Sequence, residues 1–151
     1  MWNGGEHTLN TEQSIKTLNK FLQGQFMGIH AYEHFIENLE DTSLKQSFSD
    51  ILTEHTKNAH IISDRIHQLG GEPVTNEGVV GKAESFIGNL FDPDNGDEVI
   101  IKHAIKGENL YGIKMSEQLV RNKLDEDSLQ IVHQVLNKDR EHVDYLKSLI
   151  H

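Results

Sequence analysis

Apolar residues recur every three or four positions along most of this chain, which is the spacing of one face of an α-helix. The first such stretch opens at Thr11, a good helix N-cap, and runs to about Glu40. A second stretch follows the Asp-Thr-Ser break at 41–43 and ends at the Gly-Gly-Glu-Pro segment at 70–73, which is typical of a helix C-terminus. The pattern predicts a helical hairpin, with residues 1–11 as an N-terminal tail.

The second half of the chain repeats this arrangement. A third stretch starts near residues 93–97, and a fourth follows a short break around residues 122–128. The apolar face of the third stretch carries Ile101, Ala104, Ile105, Tyr111, Met115 and Leu119, with Glu108 among them. Between the two hairpins lies a connection rich in glycine, asparagine and aspartate, residues 70–97, in which residues 83–91 are apolar enough to form a short helix.

These connection lengths predict the topology. A short turn makes neighbouring helices antiparallel, whereas a connection as long as residues 70–97 lets the third helix run parallel to the second. We therefore expect an all-α, ferritin-like four-helix bundle, in which two antiparallel hairpins are joined by a long crossover containing a short helix. At 151 residues the chain fits a single domain, residues 1–151.

Composition and charge argue against several classes of function. The formal net charge of -10 argues against nucleic-acid binding, which needs a basic surface. We expect no membrane partner, because the sequence has neither a long apolar run nor a basic amphipathic helix. The chain has no cysteine and no recognisable secretory signal, so we expect a soluble, cytoplasmic protein. Any metal must then be held by oxygen and imidazole nitrogen.

One polar residue interrupts the apolar stripe of each predicted helix, namely Gln25, His55, Glu108 and Asp139. Gln25 lies about as far before the first turn as His55 lies after it, and Glu108 and Asp139 are related in the same way about the second turn. His142, three residues after Asp139, flanks the same level. Because a buried acid is costly unless it is paired, we expect these side chains to meet in the core.

Two interpretations of this polar layer remain open. His55, Glu108, Asp139 and His142 form a set of two histidines and two carboxylates that suits one divalent Fe, Mn or Zn ion. Without a metal, two imidazolium ions and two carboxylates also sum to zero charge and can satisfy one another. Buried polar residues in helical bundles often serve only to fix register. The sequence favours the metal-free network, hence no cofactor, with a single ion as the alternative.

The polar layer resembles the metal centre of the ferritin-like superfamily, in particular of rubrerythrin and bacterioferritin. Those proteins place Glu on helices 1 and 3 and Glu-x-x-His on helices 2 and 4, with two ions between them. Here Asp-x-x-His at 139–142 and Glu108 are similar to the motifs of helices 4 and 3, and Tyr32 matches a tyrosine of helix 1. Gln25 replaces the first Glu, however, and His-x-x-Asn at 55–58 replaces the second motif, so two ions are not expected.

The chain is more similar overall to bacterial ferritin-like families of unknown function with degenerate metal ligands, through Leu-Gly-Gly-Glu-Pro at 69–73 and Gly-Glu-x-x-Tyr at 107–111. This resemblance implies a stress-related binding or structural role and not an oxidase. The alternative is a metal-storage protein or an oxidoreductase that uses one or two ions. The resemblance also allows a homodimer. An apolar patch in the crossover would cover the bundle or meet a partner, and it comprises Phe86, Ile87, Leu90 and Phe91.

Overall fold

The computed structural model describes residues 4–75 and 96–150, which are helical apart from short connections. The elements are α1 (Gly4–Asn38), α2 (Thr42–Gln68), α3 (Gly96–Gly107), a π-helix (Glu108–Lys114), α4 (Met115–Val120) and α5 (Glu126–Ser148). Since α3, the π-helix and α4 follow one another without a break, they form the third helix of the bundle. None of these described helices combines the length and apolar character that a membrane span requires.

Two helix starts differ from the sequence prediction. The first helix begins at Gly4 and so includes most of the predicted tail, because no proline or turn segment stops it before Thr11. The second helix begins immediately after Asp41, whose carboxylate accepts a hydrogen bond of 2.9 Å from the backbone N–H of Leu44. Asp41 thereby satisfies one of the N–H groups that a helix start leaves free.

Contacts at the two ends of the bundle fix the direction of each helix. At one end, the Asp97 carboxylate accepts hydrogen bonds from the backbone N–H groups of Glu40 and Asp41, at 2.8 and 2.9 Å. The third helix therefore starts beside the α1–α2 turn and runs parallel to α2. At the other end, the backbone N–H of Asp125 donates to the Ser14 hydroxyl at 2.9 Å, which places the start of α5 beside the first turns of α1. The predicted bundle topology is confirmed, while the short helix at 83–91 and its apolar patch lie outside the described residues.

The π-helix shifts the buried face of the third helix by one residue. After Glu108 the buried positions are Ile113, Ser116 and Val120. A π-helical turn bonds residue i to i+5, so it contains one residue more than an α-helical turn. The prediction that Met115 lies in the core is therefore wrong, since it is 52% exposed. The Tyr111 side chain lies outside the described residues.

The buried apolar side chains form two clusters. The cluster near the α1–α2 turn comprises Ala31, Tyr32, Phe35, Leu39, Phe48, Ile51, Ile100, Ile101, Ala104 and Leu146. The cluster toward the other end comprises Leu18, Phe21, Leu22, Ile29, Ala59, Ile62, Ile66, Val120, Val132, Val135 and Leu136. In α2, His55 lies between residues of the two clusters, and Asp139 does so in α5. The apolar core is thus divided at mid-height by a polar layer.

Candidate metal centre

The structure brings together the four residues that the sequence singled out as a candidate metal set. His55 comes from α2, Glu108 is the first residue of the π-helix, and Asp139 and His142 lie one turn apart on α5. Each offers one ligand-type atom, and these four atoms all lie within 4.8 Å of one another. All four residues are buried, with no more than 7% of the surface of any one exposed. Whether they bind a metal remains a prediction.

Both imidazoles face both carboxylates. His55 Nε2 lies 2.8 Å from Glu108 Oε1, and its Nδ1 lies 3.4 Å from Asp139 Oδ1. His142 Nδ1 lies 3.5 Å from Glu108 Oε1 and 3.8 Å from Asp139 Oδ1. The two rings meet edge to face, with their centroids 5.0 Å apart. His55 therefore uses both ring nitrogens toward the layer, whereas His142 uses only Nδ1.

Each of these four residues also presents a buried polar atom that has no hydrogen-bond partner. The atoms are His55 Nε2, Glu108 Oε1, Asp139 Oδ1 and His142 Nδ1. The 2.8 Å approach of His55 to Glu108 is short enough for a hydrogen bond but lacks the required direction. Buried polar atoms are nearly always hydrogen-bonded, so four unpaired atoms at one point require an explanation. A cation placed among them would satisfy all four.

Burial and charge act on the acids of the layer in different ways. Burial alone would raise the pKa of Glu108, but the neighbouring imidazoles of His142 and His55 outweigh it and lower the pKa. For Asp139, burial raises the pKa to about 6, the charge of Glu108 adds to the rise, and His55 opposes it. Burial would lower the pKa of His142, yet Glu108 outweighs that effect and raises it. The layer therefore holds one firmly ionised carboxylate and one that takes up a proton far more readily.

Tyr32 fixes the orientation of Glu108. Its hydroxyl donates a hydrogen bond of 2.8 Å to Glu108 Oε2, and its ring lies 5.1 Å from the His55 ring. Burial, together with the negative charge of Glu108, raises the pKa of Tyr32 well above its ordinary value, so the hydroxyl stays protonated and remains a donor. With Oε2 held in this way, Oε1 is directed at the two histidines, as outer partners orient metal ligands in known centres.

Two amides take the places where a two-ion centre would need more ligands. Gln25 and Asn58 are both buried, and Gln25 Oε1 and Asn58 Nδ2 have no hydrogen-bond partner. The Gln25 amide acts against the rise in the pKa of Asp139, so Gln25 belongs to the layer. Because an amide carries no charge, the layer has the negative charge for one divalent ion and not for two.

Sequence reasoning missed Glu54. Its Oε2 lies 3.6 Å from His142 Nε2, the ring nitrogen that points away from the layer. Both residues line a surface cleft of about 370 Å³ between α2 and α5. Glu54 belongs to the polar face of α2, and the only signal in the sequence was its position next to His55.

Comparisons with known proteins add a family and a fold. A family profile described as "Domain of unknown function (DUF2383)" matches residues 13–122, a range that ends before α5 and therefore before Asp139 and His142. No curated protein matches the sequence. Among solved structures, the chain is similar to the dodecameric thioferritin characterised as the bacterioferritin-related protein of Bacteroides fragilis, with 21% identity and a TM-score of 0.68. The match covers 91% of this chain and 84% of that chain, which confirms the ferritin-like fold.

Proposed function

The chain belongs to the family described as Domain of unknown function (DUF2383). We propose that this protein binds one divalent transition-metal ion inside its ferritin-like bundle. The ligands would be His55, Glu108, Asp139 and His142. The observation that carries the proposal is the convergence of four buried, unpaired donor and acceptor atoms within 4.8 Å. The function we propose is one of binding, without a catalytic step.

The donor set fits one ion of the zinc, iron or manganese type. Two carboxylates balance the charge of a divalent ion, and imidazole with carboxylate is a ligand set common to these three metals. When bound, iron or manganese would supply redox chemistry, whereas zinc would only tie the helices together. Tyr32 holds Glu108 in place, and Glu108 and Asp139 provide the negative charge.

The metal-free network that the sequence favoured is the competing function, a purely structural layer. The observations on its side are the 2.8 Å approach of His55 to Glu108 and the opposite pKa shifts of Glu108 and His142, which suit an imidazolium paired with a carboxylate. The unpaired atoms stand against it, since a layer that satisfies itself through protons needs hydrogen bonds that these four atoms do not form.

Metal content and a matched pair of histidine variants test the proposal. Elemental analysis of protein purified without added metal or chelator should find a transition metal. Titration of chelator-treated protein with Co²⁺ or Zn²⁺ should give one ion per chain. His55→Ala should bind more than about 100-fold more weakly, because even outer-shell changes at metal sites cost 10–100-fold. His60→Ala, at an exposed histidine of the same helix, should bind like the wild type. Equal affinities in the two variants, or no binding by the wild type, would contradict the proposal.

We also propose, from the sequence resemblance, a rubrerythrin-like, stress-related role, a cytoplasmic location and a homodimer. The thioferritin that shares the fold is dodecameric, so a larger assembly competes with the homodimer. Light scattering of the purified chain, with and without metal, distinguishes the two assemblies.

A further inference from the structure

A surface cleft between α2 and α5 reaches one residue of the buried layer, His142. Its walls are formed by Ser47, Asp50, Ile51, Glu54, Glu141, His142 and Tyr145. The His142 side chain is only 9% exposed, and its Nε2 has no hydrogen-bond partner and faces Glu54 Oε2 across 3.6 Å. Carboxylates at a protein surface commonly have no bound ligand. A buried, unpaired imidazole nitrogen that points toward such carboxylates, however, is the kind of atom that coordinates metal ions.

We propose that this cleft is the route by which a divalent cation reaches the buried layer, with Glu54 and His142 Nε2 as an outer binding site on that route. The inference rests on the proposed function. A neutral imidazole has one free lone pair, so His142 can offer Nε2 or Nδ1 to a cation but not both at once. The outer and inner sites are therefore occupied in turn, and the stoichiometry remains one ion per chain.

Lys138 lies beside two of the carboxylates that line the cleft. Its ammonium lies 3.6 Å from Glu54 Oε1 and 3.5 Å from Glu141 Oε2. Glu54 thus has one oxygen toward His142 and the other toward Lys138. A cation that binds Glu54 must compete with this ammonium, and an ion pair as exposed as this one is weak enough to be displaced. Glu54 should therefore promote entry, whereas Lys138 should retard it.

The test is the rate of cation uptake, measured by stopped-flow mixing of chelator-treated protein with Co²⁺ and followed by the visible absorption of the bound ion. Glu54→Gln should slow association about three- to tenfold, and Lys138→Gln should accelerate it by a similar factor, as expected for charges that steer a ligand. Because Glu54 is not a ligand of the inner site, its removal should slow release as well, leaving Kd within about twofold of the wild type.

A matched pair outside the cleft provides the control. Glu98 and Lys102 form an exposed ion pair of 3.4 Å on α3, so Glu98→Gln and Lys102→Gln make the same changes in net charge. Both should take up Co²⁺ at the wild-type rate. Equal rates in Glu54→Gln and Glu98→Gln would overturn the route, and so would a changed Kd at an unchanged association rate. Failure of the wild type to bind Co²⁺ would overturn the proposed function together with the route.

Discussion

Among the described residues, polar side chains form a buried layer at mid-height of the bundle and a partly buried cluster at the end where α5 begins. In the end cluster, Arg65 donates from Nε to the Ser128 hydroxyl and from Nη2 to Asp125 Oδ2, both at 2.8 Å. The backbone N–H of Ser128 donates to the same carboxylate oxygen at 3.1 Å, and that of Asp125 donates to Ser14. Among the side chains of Ser14, Arg65, Asp125 and Ser128, one polar atom, Asp125 Oδ1, is buried and has no hydrogen-bond partner.

The central layer has two carboxylates to balance, where the end cluster has one, and a different source of positive charge. An arginine guanidinium is a permanent cation, so the end cluster contains its own positive charge in Arg65. The centre has histidines instead, whose ordinary pKa lies close to neutrality. Two carboxylates converge there on imidazoles, and four atoms remain unpaired. The end cluster thus has its own cation and one unpaired oxygen, whereas the centre has the charge and several converging unpaired atoms to accept an added cation.

The largest expected effect is the change in the free energy of unfolding on metal binding, which should depend on the central layer and not on the end cluster. With free ion at about 1,000 times its Kd, the free energy of unfolding should rise by about 4 kcal/mol over that of the chelator-treated protein. Denaturant unfolding with and without Zn²⁺ measures the increment. At the same Zn²⁺ concentration His55→Ala, which should bind more than about 100-fold more weakly, should keep at most about 1.4 kcal/mol of this increment. Arg65→Met, which alters only the end cluster, should keep it in full. An undiminished increment in His55→Ala would mean that the ion stabilises the protein from another site.

The next effect concerns the end cluster itself. Arg65→Met should lower the free energy of unfolding by about 2 kcal/mol, because it removes three hydrogen bonds, one of them to a charged group, while keeping an apolar stem. The cost should be the same with and without metal. Lys102→Met, at an exposed ion pair, is the control and should change little. A cost that grows when Zn²⁺ is added would show that the two polar regions are coupled.

The fold and the membership of the central layer could be predicted because both depend on local patterns. The 3.6-residue period placed His55 and Asp139 on inward faces, and their distances from the two turns placed them at one level. The lengths of the connections then decided the direction of the third helix. None of these steps required knowledge of how the helices cross.

Other features depend on tertiary packing and could not be predicted. The π-helix contains Gly112 but no proline, and a single glycine does not predict a π-helix. Its trace in the burial pattern is the step of five between the buried Glu108 and Ile113. In the sequence, Glu54 looks like an ordinary residue of a solvent-exposed helix face. Its approach to His142 depends on how α2 packs against α5. Which buried atoms remain unpaired likewise depends on exact interatomic distances, and the spacing of residues in the sequence does not determine these.

The smallest expected effect is the pH dependence of the stability that ionised Asp125 gives to the end cluster. Burial alone would raise the pKa of Asp125, but hydrogen bonds from Ser128 and Arg65, together with the nearby Ser14 hydroxyl, outweigh it and lower the pKa from 3.8 to about 2. The ionised carboxylate therefore stabilises the fold above about pH 4, and this contribution is lost as the pH falls through about 2. Because 31% of the side chain is exposed, solvent screening reduces the contribution to about 1 kcal/mol. Asp139, with a pKa of about 6, is already protonated in this window, and Glu108 is present in both proteins, so any change at the centre cancels in the comparison of wild type with Asp125→Asn. The difference in unfolding free energy between wild type and Asp125→Asn should therefore shrink between pH 4 and pH 2, and a difference that stays constant would mean that the charge of Asp125 does not stabilise the cluster.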